Sequence, residues 1–183
     1  MKTLQFKTAF KYPFNRAIGM LNILWILIPI IGWFALGGYG IRIIQEFSKG
    51  KYEKLPVLKF GDDLQLGFFM FFKAIPFMFC AIIVIAILNA IGPLGKLIEI
   101  LLEIFVFPIL GINFANKMTV GSFFEFGILK YVFNNLWDYI VAILKAILLW
   151  LVYLPMWIIL VGFPAQIFSN NMFLADFYRR RVK

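Results

Sequence analysis

The sequence predicts an all-α, polytopic membrane bundle of about six transmembrane or partly inserted helices, the first pair a shallow hairpin, and three observations predict it. Residues 17–41 are twenty-five amino acids without one Asp, Glu, Lys or Arg, and three more apolar stretches follow. A soluble domain of this size could not bury so much apolar surface. Hydrophobic residues make up 63% of the chain and its mean hydropathy is +0.90, whereas a soluble domain carries about 45–50% apolar residues. The Lys and Arg residues, which give a net charge of +9, flank the apolar segments, as basic residues that orient membrane helices do. Residues 1–183 therefore read as a single integral membrane domain, with room for about six spans and short loops.

Residues 17–41 either cross once or turn back. Lys2, Lys7, Lys11 and Arg16 precede the run, and Arg42, Lys49, Lys51, Lys54 and Lys59 follow it. A single crossing would divide these nine between the two sides, against the cytoplasmic bias of basic residues. Pro29-Ile30-Ile31-Gly32 supplies a turn. The arms then lie at about residues 13–28 and 33–48, each ~24 Å long and short of a ~30 Å hydrocarbon core. The run is longer than the apolar region of a signal peptide and no small-x-small cleavage site follows it, so it is expected to be retained.

A third helix is expected over residues 67–91 and a fourth over 97–116, joined through Gly92-Pro93-Leu94-Gly95 as antiparallel neighbours. Residues 117–138 mix Glu125 and Lys130 with Phe123, Phe124, Phe126 and Phe133, the pattern of a helix in the headgroup plane. A fifth helix is expected over 136–154, a turn at Pro155, and a sixth helix over 156–178 before Arg179, Arg180, Arg181 and Lys183. This layout puts fifteen basic residues on one face against Lys96 alone on the other, with Lys73 and Lys145 inside apolar segments. Both termini are therefore expected in the cytoplasm. Lys11-Tyr12-Pro13-Phe14-Asn15 before the first helix and Lys130-Tyr131-Val132-Phe133-Asn134 before the fifth are either a parallel repeat of two hairpins or a coincidence in a Phe-rich chain.

Ionisable groups at membrane depth are costly, which makes them the candidates for a site. The candidate intramembrane polar site comprises Lys145, Glu103, Glu99, Gln166 and Asn170. A Lys145–Glu103 pair between the fourth and fifth helices would relieve two burials at once. The same residues could instead serve proton or solute passage, or Glu99 and Glu103 could reach the outer headgroups while Lys145 snorkels. Gln166 and Asn170, at i and i+4, share a helix face and can bond to neighbouring helices. Asp176 with Arg179 and Arg180 reads as helix-end pairing. Lys73 is expected to snorkel, and Pro76, Pro108 and Pro164 interrupt the third, fourth and sixth helices.

No enzyme motif is present. Histidine is absent and Cys80 is the single cysteine, which excludes disulfides within the chain, zinc fingers and Cys/His catalytic pairs. Cys80 is expected to be a small core residue. Gly37-Gly38-Tyr39-Gly40 lacks a P-loop lysine and reads as close helix contact. Asp62-Asp63 has no third carboxylate at ligand spacing and is expected to be solvated. Neither a catalytic residue nor a cofactor or metal is assigned. The expected partners are membrane lipids and other membrane subunits or a second copy of the chain; nucleic acid is not expected, because the cations flank apolar helices.

Phe10-Lys11-Tyr12-Pro13-Phe14, Gly38-Tyr39-Gly40-Ile41-Arg42, Gly50 with Leu55-Pro56, and Gly61-Asp62-Asp63 leading to Gly67 together resemble an uncharacterised prokaryotic family of polytopic membrane proteins, a domain of unknown function. The likeness covers about residues 10–70; beyond it lies similar hydropathy and a loose match at Asp176-Phe177-Tyr178-Arg179. The resemblance implies a prokaryotic cytoplasmic membrane and about six helices, and it brings no activity. The function expected is a structural, membrane-shaping or accessory-subunit role. The alternative is a small solute transporter or channel using polar groups of the fourth, fifth and sixth helices.

Overall fold

The structure, a computed structural model, describes residues 3–183; Lys2, counted above with the basic residues, lies outside them. The described residues form helices and turns without a strand. Among the described residues three segments are long and apolar enough to cross a membrane: Phe60–Ile91, Pro93–Lys117 and Leu136–Trp157.

The N-terminal hairpin turns where Pro29 predicts. Its first arm is not the regular helix expected over residues 13–28. After α1 (Phe6–Lys11) and a 3-10 turn at Phe14–Arg16, α2 (Ala17–Met20) runs into a 3-10 helix, Leu21–Leu27. Ile28, which precedes Pro29, is extended, as clash with a proline ring requires, and Ile30 takes the left-handed φ of 65°. The carbonyls of this arm are drawn out of an α-ladder: the Trp33 indole donates to Ile26 at 3.0 Å and the Ile28 N–H to Trp25 at 3.1 Å. Helix α3 (Ile31–Phe47) is the second arm. A Cβ on Gly32 would stand 1.8 Å from the Trp25 carbonyl oxygen, so only glycine lets the arms meet.

Helix α4 (Phe60–Ile91) starts seven residues before the expected Gly67. The Asp63 carboxylate accepts the Lys59 N–H at 2.7 Å, and two acids in the first turn face the positive end of the helix dipole. Helices α3 and α4 run antiparallel with their backbones touching. Added Cβ atoms would lie 1.9 Å from the Asp63 oxygen at Gly38 and 1.8 Å from the Phe34 oxygen at Gly67. Above this contact Phe34 packs edge-on against Phe68 and Phe71. Because α4 has 32 residues and is ~48 Å long, its last turns outrun α3 and lie beside α5 (Pro93–Leu101). Cys80 is exposed on this stretch; the expected core placement fails because α4 here has no second neighbour to bury it.

Prolines act differently in each helix. Pro76 stays inside an unbroken α4. Before Pro108 the fourth helix widens into a π turn, Leu102–Val106, between α5 and α6 (Phe107–Lys117). Pro108 offers no N–H to the Ile104 carbonyl one turn back, and the Tyr139 hydroxyl of α8 donates to that oxygen at 2.8 Å. The expected helix over 117–138 is cut into 3-10 turns at Val120–Phe124 and Phe126–Ile128, then α7 (Leu129–Asn134).

Helix α8 (Leu136–Tyr153) matches expectation, but the sixth helix is not continuous. Pro155 sits in a 3-10 helix, Leu154–Trp157, where its missing N–H costs nothing. The chain reverses later, at residues 158–161, with Leu160 at φ 58°. Helix α9 (Gly162–Ser169) follows, with Pro164 in its first turn. Asn170 and Asn171, whose amides compete with the helix ladder, separate it from α10 (Met172–Arg181). The largest fully buried side chains, Tyr12, Tyr39, Tyr139, Tyr153, Phe47 and Phe177, pack where α1, α3, α8 and α10 meet.

Candidate functional site

The five polar residues named from the sequence do not gather into one site. Glu99 is buried and pairs with Lys96 on its own helix at 2.9 Å, leaving its Oε2 buried without a partner. Glu103 is exposed in the π turn. The Lys145 ammonium lies 6.0 Å over the Phe173 ring, and the ion pairs of the described residues do not join it to Glu103. Gln166 accepts the Trp157 indole N–H at 2.9 Å, tying α9 to the preceding turn. Asn170 is exposed at the end of α9. Lys73 donates to the Met118 carbonyl at 2.9 Å.

The polar chemistry lies instead in three networks joining distant segments. Asp176, 2% exposed, is the hub of the first. Its Oδ1 accepts Tyr52 at 2.9 Å and Arg179 at 2.7 Å; its Oδ2 accepts Arg180 at 2.9 Å and the Leu4 N–H at 3.1 Å. Burial alone would raise this carboxyl, but the hydrogen bonds from Arg179, the Leu4 N–H, Tyr52 and Arg180 together outweigh it and hold the group below the usual carboxylate range. Arg180 also bonds Asp138 at the start of α8 at 3.0 Å, where Arg181 joins it. The N-terminal segment, the loop after α3, α8 and α10 are thus locked together. The expected helix-end pairing is present, with three further elements added to it.

The second network gathers residues between Asn15 and Asp63. Arg42 grips Asp63 with two bonds, Nε to Oδ1 at 2.8 Å and a second guanidinium nitrogen to Oδ2 at 2.6 Å, and also reaches the Val57 carbonyl at 2.7 Å. The Tyr39 hydroxyl donates to the Pro56 carbonyl at 2.9 Å, and Asn15 and Arg16 hold the carbonyls of Glu53 and Leu55. Asp63 is therefore buried and paired, not solvated as expected; Asp62 remains exposed. Gly-Tyr-x-x-Arg, Leu-Pro and Asp-Asp are the parts of one clamp that folds the α3–α4 loop back onto its helices.

The third network lines a cleft of about 700 Å³ between α6, α7 and α10. Buried Asn113 donates to the Ser122 carbonyl at 2.8 Å and to Glu125 at 3.1 Å, and accepts Tyr178 at 2.8 Å. Glu125 also pairs with Lys117 at 2.5 Å, and these bonds, first from Lys117 and then from Asn113, lower its carboxyl below the ordinary value. Sequence reading missed Asn113, Tyr52 and Tyr178, since nothing local marks an Asn or Tyr as the partner of a residue several helices away.

Fold and site define an all-helical protein with three segments fit to cross a membrane and polar clusters that hold its helices and loops to one another. No known family's sequence pattern matches the chain, and no curated protein and no solved structure is found similar to it.

Proposed function

We propose that the chain is an integral protein of a prokaryotic cytoplasmic membrane, without a catalytic centre, that acts as a structural, membrane-shaping or accessory subunit. The α4/α5–α6 hairpin and α8 cross the bilayer. The N-terminal hairpin and the α9 arm complete six inserted segments, and both termini stay in the cytoplasm. One observation carries the reading: the first hairpin's arms are ~20 Å and ~25 Å long, against ~48 Å for α4. Short arms fill one leaflet and leave the other to the long helices, so the molecule is wider on its cytoplasmic side. The basic residues at the helix ends favour that orientation.

Two measurements test this. In a Cys80→Ser background, single cysteines at Lys7, Lys51, Lys117 and Lys183 should all be protected from an impermeant thiol reagent in intact cells; labelling at Lys51 but not Lys7 refutes the hairpin. In vesicles of phosphatidylethanolamine and phosphatidylglycerol, rising protein-to-lipid ratio should shrink vesicle radius or draw tubules without releasing trapped solute. Saturable solute flux at unchanged vesicle shape would favour the transporter alternative, for which the buried, half-satisfied Glu99 carboxylate is the one supporting feature.

A further inference from the structure

We infer that the cleft between α6, α7 and α10 binds the phosphate of an anionic lipid headgroup. Lys117, Lys130 and Lys183 line it together with Tyr131 and Tyr178. Its one side-chain carboxylate, Glu125, is already engaged by Lys117 and Asn113. Lys130 and Lys183 take part in none of the ion pairs of the described residues. Two ammonium groups in a cleft with phenol walls are suited to an oxyanion with diffuse charge.

What makes the oxyanion a lipid's is the surface beside the cleft. Phe126, Phe133 and Trp137 are 52%, 59% and 76% exposed and stand four residues before, three after and seven after Lys130. Phe133 shares α7 with Lys130, Phe126 lies in the 3-10 turn before it and Trp137 in the first turn of α8; exposed aromatics beside a lysine sit at the boundary of headgroups and acyl chains. A phosphate held by Lys130 and Lys183 would have its acyl chains beside those rings. The inference rests on the membrane reading above, with this end at the cytoplasmic leaflet, but not on the curvature role.

The test uses the full chain in neutral detergent, titrated with phosphatidylglycerol and followed by native mass spectrometry. Phosphatidylglycerol should bind saturably, and phosphatidylcholine and inorganic phosphate much more weakly. Each lysine near anionic lipid contributes about 1 kcal/mol, so Lys130→Gln with Lys183→Gln should weaken binding about thirtyfold. Lys51→Gln with Lys54→Gln removes equal charge elsewhere and should leave binding unchanged. Gly127→Leu should also weaken it: Gly127 lines the cleft and a Cβ there meets nothing within 4 Å, so the added side chain occupies cleft space without changing charge. Equal losses in both double variants would show diffuse attraction and overturn the site, as would full binding by a folded Gly127→Leu protein. Competition by inorganic phosphate as effective as by phosphatidylglycerol would make it a free-phosphate site and overturn the lipid assignment. None of these results bears on the vesicle-shape experiment, so the two readings fail separately.

Discussion

Replacing Asp176 by Asn tests whether the hub of the first network holds the termini to the bundle. The native carboxylate accepts four hydrogen bonds, two on each oxygen, from Tyr52, Arg179, Arg180 and the Leu4 N–H. Asn keeps one acceptor oxygen but presents an amide NH₂ to the Arg180 Nε and the Leu4 N–H. Two donors then face a donor in a site that is 2% exposed, and Arg179 and Arg180 lose this counter-charge, Arg180 keeping Asp138. Each hydrogen bond to a charged group is worth about 1.5–3 kcal/mol, and removing one partner of a buried ion pair costs about 3–5 kcal/mol in all, because the losses are not additive. For a chain of this size that corresponds to a fall in Tm of about 6–20 °C, read by thermal unfolding in detergent. Trypsin should also cut faster at Lys7 and Lys11, since Leu4 loses its anchor. Adding Tyr52→Phe should cost less in the Asp176→Asn background than alone. A Tm within about 3 °C of the native protein, with unchanged proteolysis, would refute the reasoning.

The other predictions concern pH, helix contact and the intramembrane lysine. Because the folded Asp176 carboxyl lies below its unfolded value of about 3.9, its stabilisation is present above that pH and lost as pH falls through the folded value; Asp176→Asn should flatten the acid limb of a stability–pH curve. Gly67→Ala should destabilise by about 1–3 kcal/mol or more, since its Cβ would meet the Phe34 carbonyl oxygen and the Gly38 nitrogen. Gly37→Ala on the same helix pair meets nothing within 4 Å and should be neutral or stabilising by about 0.5–1 kcal/mol; equal losses at both would refute the backbone contact. Lys145→Met should keep its monodisperse yield, and adding Glu103→Lys to Lys145→Glu should not rescue the latter, because the two residues are not ion-paired; rescue would show a pairing absent from this structure.

Features set by neighbours in sequence were legible in advance. The apolar segments, the turns at Pro29 and at Gly92-Pro93, the start of α8 and the i,i+3 and i,i+4 pairs of Asp176 with its arginines all follow from local rules. A membrane makes such rules strong, because a backbone without water must satisfy itself within each helix. The broken sixth helix was legible only in part: Asn170-Asn171 is a weak helix stretch, but whether it breaks depends on what packs against it.

The sequence alone therefore determined the helical class and the apolar segments. Tertiary structure decided which partner each polar side chain takes. Spacing offers Asp176 its arginines, but the Leu4 N–H lies 172 residues away, and Asp63 belongs to Arg42 only because Gly38 and Gly67 let α3 and α4 touch. Lys145 and Glu103 looked complementary as charges, yet Glu99 sits with Lys96 and Lys145 with Phe173. The reason is range: helix formation and lipid partition are settled within a turn or two of chain, whereas a buried charge is settled by whichever donor the packing of helices brings within about 3 Å.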